Sequence, residues 1–172
     1  MKNNFLNAFQ YTPLGDGGKA EHVFKYIRRN REVFLELVNG LSIEQLNKIP
    51  EGFNNNIAWN FGHIVISTQL LCYVRPNVKP GIEIPFREKY QKGSKPEGII
   101  TQEEIDALKE QLLSTINTIE QDLQKGVFKN IQPYSTHTYR HEMNTIEEVL
   151  TCTLAHDSMH YGYAVAQRKR VV

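Results

Sequence analysis

Few features of disulfide-rich, nucleic-acid-binding or secreted proteins occur in this sequence. It has only two cysteines, Cys72 and Cys152, and no CxxC pair, which excludes a disulfide framework. Its 20 basic and 19 acidic residues leave a formal charge of only +1. The sequence therefore has no excess of positive charge that would indicate nucleic acid or an anionic membrane as a partner. The segment MKNNFLNAFQYTPLG lacks the unbroken apolar core of a signal peptide. We therefore expect a cytoplasmic protein.

Internal repeats, low-complexity tracts and strong strand signals are also missing. Only residues 126–133 have a pattern that would suit one short strand. A chain of 172 residues is most simply one domain, which buries roughly 70% of its unfolded surface. We predict a single domain over residues 1–172. Residues 1–19 end in LGDGGK and are expected to form an irregular N-terminal arm.

The first predicted helix runs from Ala20 to about Asn39, because its apolar residues recur at a helical period. Those residues are Val23, Phe24, Ile27, Phe34, Leu37 and Val38. Asn30 and Arg31 interrupt this stripe near its middle. They indicate either a solvent-exposed edge of the helix or polar groups that face a buried site. A capping box at Ser42 and Gln45 then predicts a short helix before Pro50.

A second long helix is predicted after Asn54, Asn55 and Asn56, which are suitable N-caps. No charged residue occurs from there to Val74. The segment contains too many polar side chains for a membrane span of about 20 apolar residues, so we predict a helix buried on most of its circumference. Its inward stripe includes Trp59 and His63.

Two long connections flank the third long helix. Residues 76–100 are rich in proline and glycine, with one helical turn predicted at 86–91. A connection of this length is either functional, such as a lid, or an indication that the assigned helices are wrong. Thr101 and Glu104 predict another capping box, and the helix that follows ends at Gly126. Residues 127–143 form a second loop.

The last predicted helix spans Asn144 to Lys169, with Asn144 as its N-cap and Glu147 as the capping-box partner. His156 and His160 lie four residues apart on its inward stripe, so their imidazoles lie one above the other. His63 points inward from the second helix. The three histidines are either satisfied core residues or ligands of one metal ion, since crowded buried imidazoles otherwise need hydrogen-bond partners. His137 and His141 have the same spacing, but they lie in a loop without a helical period.

Two motifs resemble the DinB/YfiT-like superfamily: Trp59-x-x-x-His63 early in the second long helix and His156-x-x-x-His160 in the last. The order of four long helices, with a long connection between the second and third, is also similar. The resemblance covers roughly residues 20–170. It implies an all-α four-helix bundle with long connecting loops, a divalent metal on three histidines and a homodimer.

Members of this superfamily include bacillithiol-type thiol transferases and mycothiol-dependent isomerases. The resemblance therefore implies a metal-dependent enzyme that acts on a small molecule, with a thiol-dependent S-transferase as one expectation. A metal-dependent hydrolase and a non-catalytic, stress-related binding bundle are the alternatives. Imidazole ligands suit Zn, Ni and Fe alike, so the sequence does not identify the metal. It also identifies no catalytic residue.

Neighbouring residues are candidates for supporting the site. Each metal-bound histidine gives its second ring nitrogen to a partner, and Asn60, one turn before His63, is suitably placed. Trp59 is expected to pack beside His63, and Tyr161 either packs in the core or offers a hydroxyl. Asp157 lies about 100° around the helix from His156, so we expect it to pair on the surface.

Apart from its sulfur, a bound small-molecule thiol would also need hydrogen-bond donors for its polar groups. Asn30, Arg31, Tyr139, Arg140 and His141 are the candidates, because each lies on an element that reaches one end of the bundle.

Overall fold

The computed structural model describes residues 18–172, so most of the predicted N-terminal arm lies outside the described residues. This part of the chain is all-α, with one small hairpin. Its helices are α1 (Gly18–Asn39), α2 (Ile43–Asn47), α3 (Ile57–Gln69), α4 (Arg87–Tyr90), α5 (Gln102–Gln124) and α6 (Ile146–Arg168). A π-helical turn, Leu70–Val74, continues α3. The hairpin consists of β1 (Tyr134–Ser135) and β2 (Glu142–Met143), with Tyr134 opposite Met143.

The four long helices, α1, α3, α5 and α6, pack as a bundle, which confirms the predicted fold class. Helix α1 lies mainly against α6, and α3 lies against both α5 and α6. Every residue of α3 is buried, as its lack of charge predicts. The segment Ile57–Val74 has the length and hydropathy of a membrane span, but 83% of it is covered by the rest of the bundle, which is consistent with a soluble protein.

Side-chain caps define where the helices begin. The predicted capping box at Ser42 and Gln45 is present, and Asn56 is the N-cap of α3. Thr101 caps α5 as predicted. The carboxylate of Glu104 does not complete a capping box there, because it accepts hydrogen bonds from Lys89 and Tyr90 instead.

The predicted cap of the last helix is wrong by one residue. The N-cap of α6 is Thr145, and its capping-box partner is Glu148. The Glu148 carboxylate accepts hydrogen bonds from the backbone N–H groups of both Thr145 and Asn144. The Glu148 side chain therefore satisfies two backbone donors. A helix capped by Asn144, with Glu147 as its partner, would not form these two hydrogen bonds.

The long connection between α3 and α5 is ordered around Tyr90. Its ring is fully buried against Gly62 of α3, and its hydroxyl donates to Glu104 of α5. The predicted helical turn in this connection is present as α4. In the second connection the short strand predicted at 126–133 is wrong, because a turn that includes Gly126 (φ 74°) precedes the hairpin.

Substitution of Gly62 tests how closely Tyr90 packs on α3. A Cβ atom at Gly62 would lie 2.5 Å from Cδ1 of Tyr90, whereas a Cβ at Gly162 of α6 would have no atom within 4 Å. We expect Gly62→Ala to lower the free energy of unfolding by about 1–3 kcal/mol through overpacking. Gly162→Ala, the matched control, should raise it by up to about 1 kcal/mol through helix propensity. Urea unfolding measures both, and equal effects would contradict the packing argument.

Candidate metal centre

Three histidines from two helices meet at one point of the bundle. His63 comes from α3, and His156 and His160 come from α6. One ligand nitrogen from each lies within 4.8 Å of the other two. The ring centroids of His63 and His156 are each 4.6 Å from that of His160. The histidines that the sequence places on inward stripes are therefore close enough to share one ion.

The tautomer of His63 is set by a backbone carbonyl. Its Nδ1 lies 2.6 Å from the carbonyl oxygen of Tyr90. A carbonyl can only accept, so Nδ1 carries the proton and Nε2 keeps its lone pair. A loop outside the bundle thus prepares His63 to bind a cation through Nε2.

Asn60 sets the tautomer of His160. The Nδ1 atom of His160 lies 2.8 Å from Oδ1 of Asn60. The amide of Asn60 is oriented by its nitrogen, which donates to the Asn56 carbonyl and to Oε1 of Gln167. Oδ1 therefore accepts from His160, which again leaves Nε2 unprotonated. The sequence proposes Asn60 as a support for the site, and the structure joins it to His160 of the facing helix.

His156 lies beside a buried carboxylate. Its Nδ1 is 3.7 Å from Oδ1 of Asp157, and within the described residues neither atom has a hydrogen-bond partner. Asp157 is fully buried, so the predicted surface pairing is wrong. A displacement of about half an ångström would bring the two atoms within hydrogen-bond distance. Asp157 is thus placed to orient His156 as Tyr90 and Asn60 orient the other two histidines.

The opposite oxygen of Asp157 is held by Arg31 of α1. Nε of Arg31 donates to Oδ2 of Asp157 at 2.9 Å, and both side chains are 0% exposed. The interpretation of Arg31 as part of a solvent-exposed edge is therefore wrong. Its other nitrogens donate to the Leu112 carbonyl at 2.6 Å and to Oγ1 of Thr68 at 2.5 Å. The charge is compensated by a carboxylate and hydrogen-bonded on every side, as burial requires.

Burial keeps two of the histidines neutral. Burial, followed by the effect of the nearby His156, lowers the pKa of His63 to about 4. Burial, with His156 and His63 as neighbours, lowers the pKa of His160 to about 2. Both rings are therefore unprotonated at neutral pH, which is the form that binds metal ions.

Two further side chains contact His63. The ring of Trp59 stacks on it with centroids 4.6 Å apart and planes at 15°, as expected for packing beside the histidine. The hydroxyl of Ser67 lies 3.2 Å from Nε2, the nitrogen that faces away from Tyr90. Ser67 therefore contacts the atom that would bind a metal ion.

The histidines line a cavity of about 590 Å³. Both long connections contribute to its wall, with Arg87 and residues 91–93 from the first and residues 136–139 from the second. Apolar side chains of the π-helical turn and of α6 cover another part; they are Leu70, Leu71, Val74 and Met159. A volume of this size is typical of small-molecule sites, about 300–1,000 Å³.

The remaining candidate residues are distributed around the site. Tyr139 lines the cavity, whereas His141 is exposed outside it. Tyr161 packs edge-on against Phe34 with centroids 5.7 Å apart, in the core. Asn30 is half-buried on α1 and does not line the cavity.

Some residues of the site are missing from the sequence-based prediction. Ser67 lies four residues after His63, so the i, i+4 rule would have found it. Gln167, which orients Asn60, lies on the inward face of α6, but glutamine there has no distinctive signature. The carbonyl of Tyr90 is a backbone group of a loop, and no side-chain pattern identifies it.

The sequence profile of the DinB superfamily matches residues 26–164, which is most of the chain. The chain belongs to the DinB superfamily. A comparison with curated proteins gave no match. Membership agrees with the observed all-α bundle and is compatible with metal binding at the three histidines, but it does not specify the metal or a reaction.

The donor set of this DinB protein fits a divalent cation. His63 and His160 each present an unprotonated Nε2, because their Nδ1 atoms donate to Tyr90 and Asn60. In the described part of the chain, no fourth His, Cys, Asp or Glu joins the group. Three imidazole ligands leave positions open for solvent or substrate, which is the arrangement of catalytic rather than structural zinc.

Removal of one histidine tests its role as a ligand. We expect the wild type, purified with added zinc, nickel or iron, to hold about one equivalent of metal. His160→Ala should hold none, and His141→Ala, which removes an exposed histidine outside the cavity, should resemble the wild type. Elemental analysis measures all three. Equal metal content in wild type and His160→Ala would support the interpretation as core histidines.

The buried ion pair can be compared with a partly exposed one on the same helix. Arg28 pairs with Glu120, and these side chains are 29% and 32% exposed. We expect Arg31→Met to lower the free energy of unfolding by about 3–5 kcal/mol, because Asp157 would be left charged and unpaired. Arg28→Met should cost at most about 1 kcal/mol. Denaturant titration checks this, and similar costs at both sites would refute the special role of Arg31.

Proposed function

We propose that this DinB protein is a metal-dependent enzyme that transfers a group to or from the sulfur of a small thiol. The observation that carries the proposal is the convergence of three imidazoles, with no fourth protein ligand among the described residues, on a cavity of small-molecule size. His63, His156 and His160 would hold the cation. When bound, a divalent ion of this kind supplies positive charge that stabilises an anionic nucleophile.

The surrounding residues would keep the site in one geometry. Tyr90 and Asn60 hold two imidazoles through their Nδ1 atoms, and Asp157 lies next to the third. Trp59 covers one face of His63 and limits the access of water from that side. Ligand rings held in this way need little rearrangement when substrate binds.

The lining of the cavity favours thiol chemistry over hydrolysis. Zinc proteases use a glutamate as the base that takes a proton from the attacking water. In the described part of the chain, no aspartate or glutamate lines the cavity. A thiol, with a pKa of about 8.5, loses its proton far more readily than water does, and a bound metal ion deprotonates a coordinated thiol outright, so a thiol depends less on such a base.

The sulfur would come from the substrate rather than from the protein. Cys152 lines the cavity, but burial raises the pKa of its thiol. Cys72 is fully buried, and burial raises its pKa to about 12. Both side chains therefore remain protonated at neutral pH and are poor nucleophiles.

Cobalt substitution tests the proposal. Direct sulfur ligation creates a charge-transfer band, so we expect 2-mercaptoethanol or mercaptosuccinate to produce one in the cobalt-loaded protein. His160→Ala, loaded in the same way, should give no band. If no thiol produces the band while an ester or amide is hydrolysed at the site, the protein is a hydrolase and the transferase proposal is wrong.

A further inference from the structure

The cavity wall carries positive charge and, in the described part of the chain, no carboxylate. Arg75, Arg87 and Lys92 line it. None of the three forms an ion pair with a carboxylate of residues 18–172. Two lysines of the same connection differ in this respect, because Lys79 pairs with Asp122 and Lys89 pairs with Glu104. Arg87 and Lys92, by contrast, line the cavity without a carboxylate partner among the described residues.

Arg75 is held in place by neighbours other than acids. Its Nη2 donates to the Ser135 carbonyl at 3.0 Å, and its guanidinium lies 5.4 Å from the centre of the Tyr134 ring. These contacts fix the side chain and leave its positive charge uncompensated. A guanidinium fixed in this way binds an anion with little loss of side-chain entropy.

Arg87 and Lys92 lie within three residues of a backbone group that contacts one of the histidines. They flank Tyr90, whose carbonyl accepts from His63. The Nε atom of Arg87 is 3.5 Å from Oε1 of Gln91, a long and therefore weak hydrogen bond. Its remaining N–H groups are available to a ligand.

We infer that Arg87 and Lys92, extended by Arg75, form a subsite for a negatively charged group, and that the substrate is a small thiol that carries one or more carboxylates. The inference rests on the proposed function and adds the charge of the substrate to it. The sulfur lies at the histidines, and the carboxylate accepts charge-assisted hydrogen bonds from Arg87 and Lys92. Arg75 lies on the helical segment that begins with α3. At ~1.5 Å per residue it is roughly 18 Å from His63. It therefore contacts the far end of a longer substrate.

The only tryptophan of the chain makes binding measurable. Trp59 lines the cavity and stacks on His63, so its fluorescence reports on ligands there. The protein as purified is titrated with mercaptosuccinate, a dicarboxylate thiol, and with the neutral 2-mercaptoethanol. A bound metal ion would attract anions in every variant. A change in the affinity ratio between variants therefore isolates the contribution of the side chains.

The wild type should bind mercaptosuccinate about tenfold or more tightly than 2-mercaptoethanol, since removal of charge-assisted hydrogen bonds costs about this factor. The double variant Arg87→Gln/Lys92→Gln should lose most of this preference and retain its affinity for 2-mercaptoethanol. Lys95→Gln, an exposed lysine outside the cavity, is the matched control and should keep the preference. Added salt should weaken binding of the dicarboxylate more in the wild type than in the double variant.

The outcomes separate this inference from the function on which it rests. A cobalt–sulfur band with equal affinity for both thiols would leave the transferase proposal intact and overturn the anionic subsite. A preference for mercaptosuccinate that Lys95→Gln reduces as much as the double variant would also overturn it, because the effect would then come from general surface charge. Tighter binding of mercaptosuccinate without any band would support the subsite and reject the thiol chemistry.

Discussion

The guanidinium of Arg31 connects all four long helices at the level of the candidate site. It projects from α1 and bonds to the Ile64 carbonyl and Thr68 in α3, the Leu112 carbonyl in α5 and Asp157 in α6. Burial of this charge is costly unless every donor is satisfied in good geometry, so the helices have little freedom to slide against one another. The position of His156, next to Asp157, therefore depends on a residue of a helix that contributes no histidine.

A second dependence connects the site to the long loop between α3 and α5. The carbonyl that orients His63 belongs to Tyr90, whose ring occupies the space left by Gly62 and whose hydroxyl bonds to Glu104. The same loop contributes Arg87 and Lys92 to the cavity wall. The conformation of the loop therefore determines both the tautomer of one histidine and the charge that a ligand meets.

Periodicity was sufficient to predict the four long helices and the inward direction of the three histidines, because burial of one helix face is what a periodic pattern records. It failed where a polar group takes an apolar position. Arg31 interrupts a hydrophobic stripe, and a stripe alone does not distinguish an exposed edge from a buried ion pair. Asp157 could be recognised as its partner only after α1 and α6 were placed side by side. The Tyr90 carbonyl depends on loop geometry that no spacing encodes, and the error at Asn144 arose because two overlapping N-terminal patterns differ by one position.

The π-helical turn at Leu70–Val74 has a consequence for how this segment can vary. Such a turn contains one residue more than the α-helical turn it replaces, and each residue advances a helix by about 100°. The extra residue therefore sets the direction of every side chain that follows, including Val74 and Arg75 on the cavity wall. The length of this segment is consequently under tighter constraint than its composition. Exchange of one apolar residue for another keeps the direction of the side chains that follow, whereas loss of a single residue would turn Arg75 away from the cavity.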